Sequence, residues 1–280
     1  MAHLPRRAKS ANDWTETDLE AYNIHLRAED AATFFGTTEL PQSPIGQEVL
    51  DVEDAHDIKN DDSANLVKYI GGAMRGEEPA VLPFVPTLLT DTGYPKDGQL
   101  VAQRNDFPFF VCGEWRHART GATLFDPGET TTLLVVQNDH RFGAHDGEDD
   151  FDDSDSEDSD SGYLNDRDPN PQLVAAVIAA FHCRNLSREL SGRRAVEPKV
   201  MPGLVMAGTL PTFFKIPITA PLLDAVHEGT YPAEPTIVSM HIPDLPNPDR
   251  WREGMKPLEN RRHILRCLEA FRGFVQDYTD

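Results

Sequence analysis

Apolar residues recur at three- and four-residue spacing over Leu66, Val67, Ile70 and Met74, which predicts a helix from about residue 63. The same spacing over Leu173, Val174, Val177, Ile178 and Phe181 predicts a helix over 170–186. A last helix is predicted over 257–278, with proline in its first turn and a stripe of Ile264, Leu265, Leu268, Phe271 and Val275. Residues 79–92 carry Val81, Leu82, Val85, Leu88 and Leu89 on one stripe. Pro83 and Pro86 lie inside that stripe, and each removes a helical hydrogen bond.

Between the helices the period shortens. Residues 107–114, 122–126 and 132–137 are β-rich, turn-bounded runs that predict three strands. Short connections make such strands antiparallel neighbours, so a meander is expected. Residues 204–208 and 212–218 predict two more strands, Thr219 caps a helix through Val226 that Gly229 ends, and 236–242 predicts a last strand. This order points to an α/β or α+β domain over 61–280. Residues 1–60 read as an N-terminal arm with short helices. One is opened by Thr15 and Asp18 at capping-box spacing, and another over 28–35 is stopped by Gly36.

Composition changes the picture at one place. The chain has 280 residues and a net charge of −21, of which ten negative charges fall within residues 146–160, DGEDDFDDSDSEDSD. Such a block repels itself and has little to bury, so a disordered insertion is expected over 143–166. Within it Ser154 and Ser156 stand beside acidic residues as candidate phosphorylation sites. The block could also dock a basic protein, such as a histone or a basic peptide. The net charge opposes nucleic-acid binding without rearrangement. No apolar run approaches the ~20 residues of a membrane helix, no secretory h-region opens the chain, and Cys112, Cys183 and Cys267 form no CxxC. An intracellular protein, cytoplasmic or nuclear, is expected.

In the expected meander the first and third strands end at one edge of the sheet, and the second begins there. Glu114, Thr120-Gly121 and Gln137-Asn138-Asp139-His140 would then cluster, with Arg116, His117 and Arg119 in the loop beside them. Alternation along the strand puts Asn138 and His140 on one face and Asp139 on the other. Weaker candidates are Lys215 in the strand FFKI, expected on a solvated face, the isolated His182 and His241, and Cys112 in an apolar strand. Arg250, Arg252, Arg261, Arg262, Arg266 and Arg272, balanced by Glu253, Glu259 and Glu269, predict a solvated helix face. No GxSxG, P-loop, HExxH or dinucleotide fingerprint is present.

The stretch FPFFVCGEWRHARTGATLFDPGETTTLLVVQNDH, residues 107–140, resembles the core of a group of fungal, chiefly basidiomycete, proteins without an assigned activity. The similarity extends through WT at 14–15, AYNI at 21–24, residues 169–181, GTLPTFFKIP at 208–217, PLENRR at 257–262 and EAF at 269–271. That group reads close to ICGE-x-x-HAKTDV and LLVQEDK, and its helix-strand-strand-strand-helix-strand order is similar to the PD-(D/E)-x-K nuclease superfamily. The resemblance implies a restriction-endonuclease-like core, a central mixed sheet of about 5–6 strands flanked by helices. In that superfamily an acidic residue and an E-x-K pair on the next strand hold Mg²⁺ and orient a water. Here Gly121 stands where the group's Asp would be, Asn138 where its Glu would be and His140 where its Lys would be.

The expected function is therefore a degenerate, non-catalytic nuclease-fold protein, acting without a cofactor as a binding or interaction module. One alternative is a metal-dependent nuclease with Glu114, Asp126, Asp139 and His140 as its catalytic residues and Mg²⁺ or Mn²⁺ held by Glu114, Asp139 and His140. Another is an α/β scaffold, unrelated to nucleases, that binds a protein partner or a small molecule.

Overall fold

The computed structural model describes residues 6–128, 131–139, 168–197 and 199–277. The strands are β1 (Ile24–Ala28), β2 (Leu100–Gln103), β3 (Asp106–Val111), β4 (Glu114–Arg119), β5 (Ala122–Asp126), β6 (Thr131–Asp139), β7 (Val200–Ala207), β8 (Leu210–Pro217) and β9 (Thr236–His241). Seven of them form one sheet in the order β1-β9-β8-β7-β6-β5-β2, while β3 and β4 pair apart from it. The sheet is mixed: β6 lies parallel to β7 and β1 parallel to β9, with the other neighbours antiparallel. It is larger than the expected 5–6 strands.

The helices are α1 (Glu16–Ala21), α2 (Ala31–Phe35), α3 (Gln47–Asp51), α4 (Asp61–Met74), α5 (Glu78–Asp91), α6 (Pro169–Leu190), α7 (Ala220–Glu228) and α8 (Leu258–Asp277). Helix α6 supplies the long crossover that a parallel pair such as β6–β7 requires. Its residues 173–181 are almost wholly buried, on every side of the helix. A helix that is apolar all round needs cover all round. The large sheet covers one side of α6, and the β3–β4 hairpin with a short 3₁₀ turn at Ala11–Asp13 covers the other. A Cβ built on Gly203 of β7 would lie 3.0 Å from Leu173, so glycine there sets how closely helix and sheet approach. None of the described helices is long and apolar enough to cross a membrane.

The two internal prolines do not end α5. Pro86 cannot donate to the carbonyl of Leu82 four residues back, and the Gln103 side chain donates to that oxygen instead, at 2.9 Å. A side chain from the sheet thus supplies what the proline withholds.

The first 60 residues are not a loose arm. The capping box of Thr15 and Asp18 forms, as does the short helix ended by Gly36. Beyond these, β1 adds an edge strand to the main sheet by pairing with β9, and Trp14, Leu19, Tyr22, Ile24 and Phe34 join the common core. The reason is apolar burial: Trp14 stacks on Tyr22 at 5.2 Å and meets Phe109 at 5.8 Å, so the segment closes over the hairpin.

The expected three-stranded meander is also corrected. The chain reverses directly after Val111 through Cys112 and Gly113, both at positive φ (50° and 77°), a tight hairpin turn of the primed kind. Positive φ is costly for cysteine, and tertiary bonds offset it. The amides of Cys112 and Gly113 donate to the carbonyls of Val226 and His227 at 2.9 and 2.8 Å. Glu114, expected at the end of the first strand, and residues 115–119, expected as loop, therefore become β4, and β5 pairs on its other edge with β2.

Candidate functional site

The sequence directs attention to the junction of β4, β5 and β6. Here the Gly121 amide donates to the carbonyl of Val136 at 3.0 Å, extending the β5–β6 ladder by one bond. Asn138 sits opposite Met206 of β7, and Asp139 opposite Ala207. A Cβ built on Gly121 would meet the carboxamide of Asn138 at 3.1–3.2 Å. Gly121 does not have the left-handed backbone that would demand glycine. What it supplies is space for Asn138.

The hydrogen-bonding side chains described around this pair are neutral. Gln137 donates to the carbonyl of Arg119 at 2.9 Å. Asn12 grips the same residue's backbone through two bonds of 2.9 Å. Asn105 donates to the Thr123 hydroxyl, and its carbonyl accepts from the Thr120 amide. Amides and hydroxyls fasten backbone without adding charge, and a hard divalent cation calls for carboxylate oxygens.

Two of the acidic candidates lie elsewhere. Glu114 starts β4 at the tip of the hairpin, where it is exposed and binds Arg116 at 2.5 Å. The length of β4 separates it from Thr120-Gly121, roughly 20 Å at the usual strand rise. Asp126 ends β5 opposite Thr131, at the far end of the strand from Gly121, and its carboxylate accepts from the Gly128 amide at 2.9 Å. The expected gathering of Glu114 with Gly121 and residues 137–140 is therefore corrected, because the turn at Cys112-Gly113 takes β3 out of the sheet. Asp139 is at the right end of β6, and its side chain, like His140, Ser154, Ser156 and the acidic run 146–160, lies outside the described residues. Among the described residues no group of three or more His, Cys, Asp or Glu side chains is arranged to hold a metal ion.

The weaker candidates resolve into packing. Lys215 donates to the Phe34 carbonyl and lies over the rings of Phe34 and Phe274 at 4.7 and 4.9 Å, not on a solvated face. Burial pushes its pKa down. His241 is buried against Phe34 and Phe35, with its Nδ1 2.9 Å from the Glu29 carbonyl. Cys112 is half-buried, its Sγ 3.1 Å from the Tyr22 hydroxyl, and all three cysteines are free.

His182 is not isolated: its ring meets His227 of α7 at 4.6 Å and the exposed Trp115 at 5.9 Å. Burial, then the neighbouring His227, pushes the pKa of His182 down to about 4. His182 Nδ1 and His227 Nε2 are buried without a hydrogen-bond partner among the described residues.

The arginines on and just before the last helix form the expected balanced face only in part. Arg252 and Arg262 are exposed. Arg250 binds Glu253 at 2.6 Å, Arg262 binds Asp51 at 3.1 Å and Arg272 binds Glu269 at 2.5 Å, while Arg261 and Arg266 turn to backbone. Arg266 donates to the carbonyls of Leu40 and Pro41. Arg261 is wholly buried and donates to the carbonyls of Met255, Val49, Val52, Glu53 and Lys256. These five contacts match its five N–H donors. Its position was readable in the sequence, since Arg261 precedes Ile264 and Leu265 on the buried stripe at helical spacing. The His182–His227 pair had no such signal, because the two rings come from distant helices.

Compared with known proteins, the chain matches no family model and no curated protein.

Proposed function

We propose that the chain is a nuclease-like α/β protein that has lost metal-dependent chemistry and serves, without a cofactor, as a binding or interaction module. The observation that carries this reading is the contact of Gly121 with Asn138. These are the two positions at which the resembling fungal group has its Asp and Glu, and here they are adjacent and uncharged. The order of elements supports it: α5, then the antiparallel neighbours β2, β5 and β6, then α6 and the parallel β7 follow the helix-strand-strand-strand-helix-strand pattern of the superfamily. In this reading β3 and β4 are a hairpin inserted between the first two core strands. A restriction-endonuclease-like core with its metal ligands replaced keeps the scaffold and loses the charge that a divalent cation needs.

The partner in this reading is a basic protein, met through the acidic run 146–160. Its ten negative charges provide long-range attraction for a basic surface, and the chain's net −21 repels a phosphate backbone.

Incubation of the full chain with plasmid DNA and single-stranded oligonucleotides in Mg²⁺ or Mn²⁺ tests the loss of chemistry. No cleavage is expected; metal-dependent cleavage that disappears in Asp139→Ala would overturn the reading. An oligolysine peptide tests the partner class. Its binding should weaken steeply with salt and be lost when residues 146–160 are deleted; binding unchanged by that deletion would refute the assignment of the contact.

A further inference from the structure

His182 of α6 and His227 of α7 meet edge to face, with ring centres 4.6 Å apart and planes at 71°. Both residues are half-buried. Yet His182 Nδ1 and His227 Nε2 are each shut off from solvent with no hydrogen-bond partner among the described residues. Buried polar atoms in folded proteins are nearly always partnered, and an exception calls for a physical reason. Edge-to-face packing accounts for the closeness of the rings. It does not account for two orphaned nitrogens within one ring pair.

The surroundings suit a cation that imidazole can ligate. Burial, then the neighbouring ring, pushes the pKa of His182 down to about 4, and burial pushes that of His227 down as well. Both rings are therefore neutral at neutral pH, and each keeps a lone pair that a metal can take without displacing a proton. Asp224 and Glu228 of α7 oppose the shift at His227, so their negative charge reaches this ring. His227 also lies in the last turn of α7, the end of a helix that favours positive charge.

The separation fits too. With Zn–N bonds of about 2.0–2.1 Å, two imidazoles at neighbouring positions of one ion have ring centres roughly 4.5–5.2 Å apart. The observed 4.6 Å falls in that interval. Phe110 and Trp115 of the β3–β4 hairpin close over the pair. Trp115 stacks on His182 at 5.9 Å, and Phe110 meets His227 at 5.6 Å and Trp115 at 5.0 Å. Such an apolar shell limits the access of water to an ion behind it. Trp115 is itself exposed, so a turn of its side chain opens the pair to solvent.

We infer that His182 and His227 together hold a divalent transition-metal ion of the zinc class, with water in its remaining positions, as a clamp between α6 and α7. The inference does not rest on the nuclease-like reading, since the pair stands by the hairpin tip, at the other end of β4 from Gly121. Zinc is the probe, titrated calorimetrically into the full-length chain in excess Mg²⁺, which occupies the carboxylates of the acidic run and leaves imidazole to zinc. One saturable equivalent is expected, and it should be lost in His182→Gln and in His227→Gln, each checked for cooperative unfolding without metal. A second arm needs no histidine variant. Co²⁺ should quench part of the tryptophan fluorescence of the wild type, and zinc should reverse it. Trp115→Phe should lose that quenched part and still bind zinc. A wild-type chain that takes up no zinc, or zinc binding that survives in either histidine variant, would overturn the inference. So would Co²⁺ quenching that is unchanged in Trp115→Phe, because the ion would then lie elsewhere.

Discussion

Arg261 and the Gly121–Asn138 pair treat charge in opposite ways. Arg261 is a full positive charge with no exposure, surrounded by five carbonyls. Burial lowers its pKa to about 10, with Glu53 opposing the shift, so the group stays protonated at neutral pH. At Gly121 and Asn138 a sheet end carries amides, hydroxyls and no glycine side chain, at the positions where the proposed nuclease-like reading looks for carboxylates. The difference teaches that this fold keeps a buried charge where backbone oxygens close around it. At the junction of β5 and β6 the same polar fastening is done by neutral groups, and nothing described there concentrates negative charge.

Removing the charge from the buried end should have the largest effect. Arg261→Met leaves up to five carbonyls short of a donor and loosens residues 49–53 from α8, to which Arg262 still binds Leu50 and Asp51, an expected loss of about 3–5 kcal/mol in urea unfolding. Arg261→Lys should recover little of it, since an ammonium cannot reproduce the planar fork. A loss below about 1 kcal/mol would show that the carbonyls find other donors.

Next in size are the paired glycines of α4. Gly72→Val should cost about 1–3 kcal/mol, because its Cβ collides with Ala80. Gly71→Ala should instead raise stability by about 0.5–1 kcal/mol. A Cβ at Gly71 would meet only the flexible end of Arg75, at 3.5 Å, so equal effects at the two positions would show that the Ala80 contact does not set the cost at Gly72.

The His182–His227 pair gives a pH test. Burial holds His182 at about 4 against an ordinary 6.5, so between these values the unfolded chain binds more protons than the folded one. Stability should fall as pH drops from about 6.5 to about 4, and His182→Gln should flatten part of that slope in thermal unfolding. A slope identical in the variant would remove His182 from the account. Smallest of all, Gly121→Ala should cost less than about 1 kcal/mol, because Asn138 can turn aside by a few tenths of an ångström.

Much of this architecture was legible in the sequence where periodicity is decided by burial. The spacing at Leu66-Val67-Ile70 and at Leu173 to Phe181 yields α4 and α6, and Thr219 with Gly229 bounds α7. Where distant contacts decide, the pattern misleads. Nothing in FFVCGEW announces that Cys112 adopts positive φ, since α7 carbonyls hold it there, and so β4 reads as loop and Glu114 is displaced to a hairpin tip. The short β1 is likewise fixed by its pairing with β9, about 200 residues away in sequence. Of the candidate site, the closeness of Gly121 and Asn138 survives because both belong to the β5–β6 ladder, which local turn signals specify. Glu114, assigned to the same edge, does not join it, because its placement depended on β3 being in the sheet.

The most direct measurement is calorimetric titration of Mn²⁺ into two proteins lacking residues 146–160, one otherwise wild type and one carrying Gly121→Asp and Asn138→Glu. Deleting the acidic run removes its diffuse uptake of cations. No saturable binding is expected in the first protein, and a single saturable site in the second, where carboxylates are placed at the strand end. A stoichiometric site already present in the first protein, and lost on Asp139→Ala, would contradict the loss of metal chemistry.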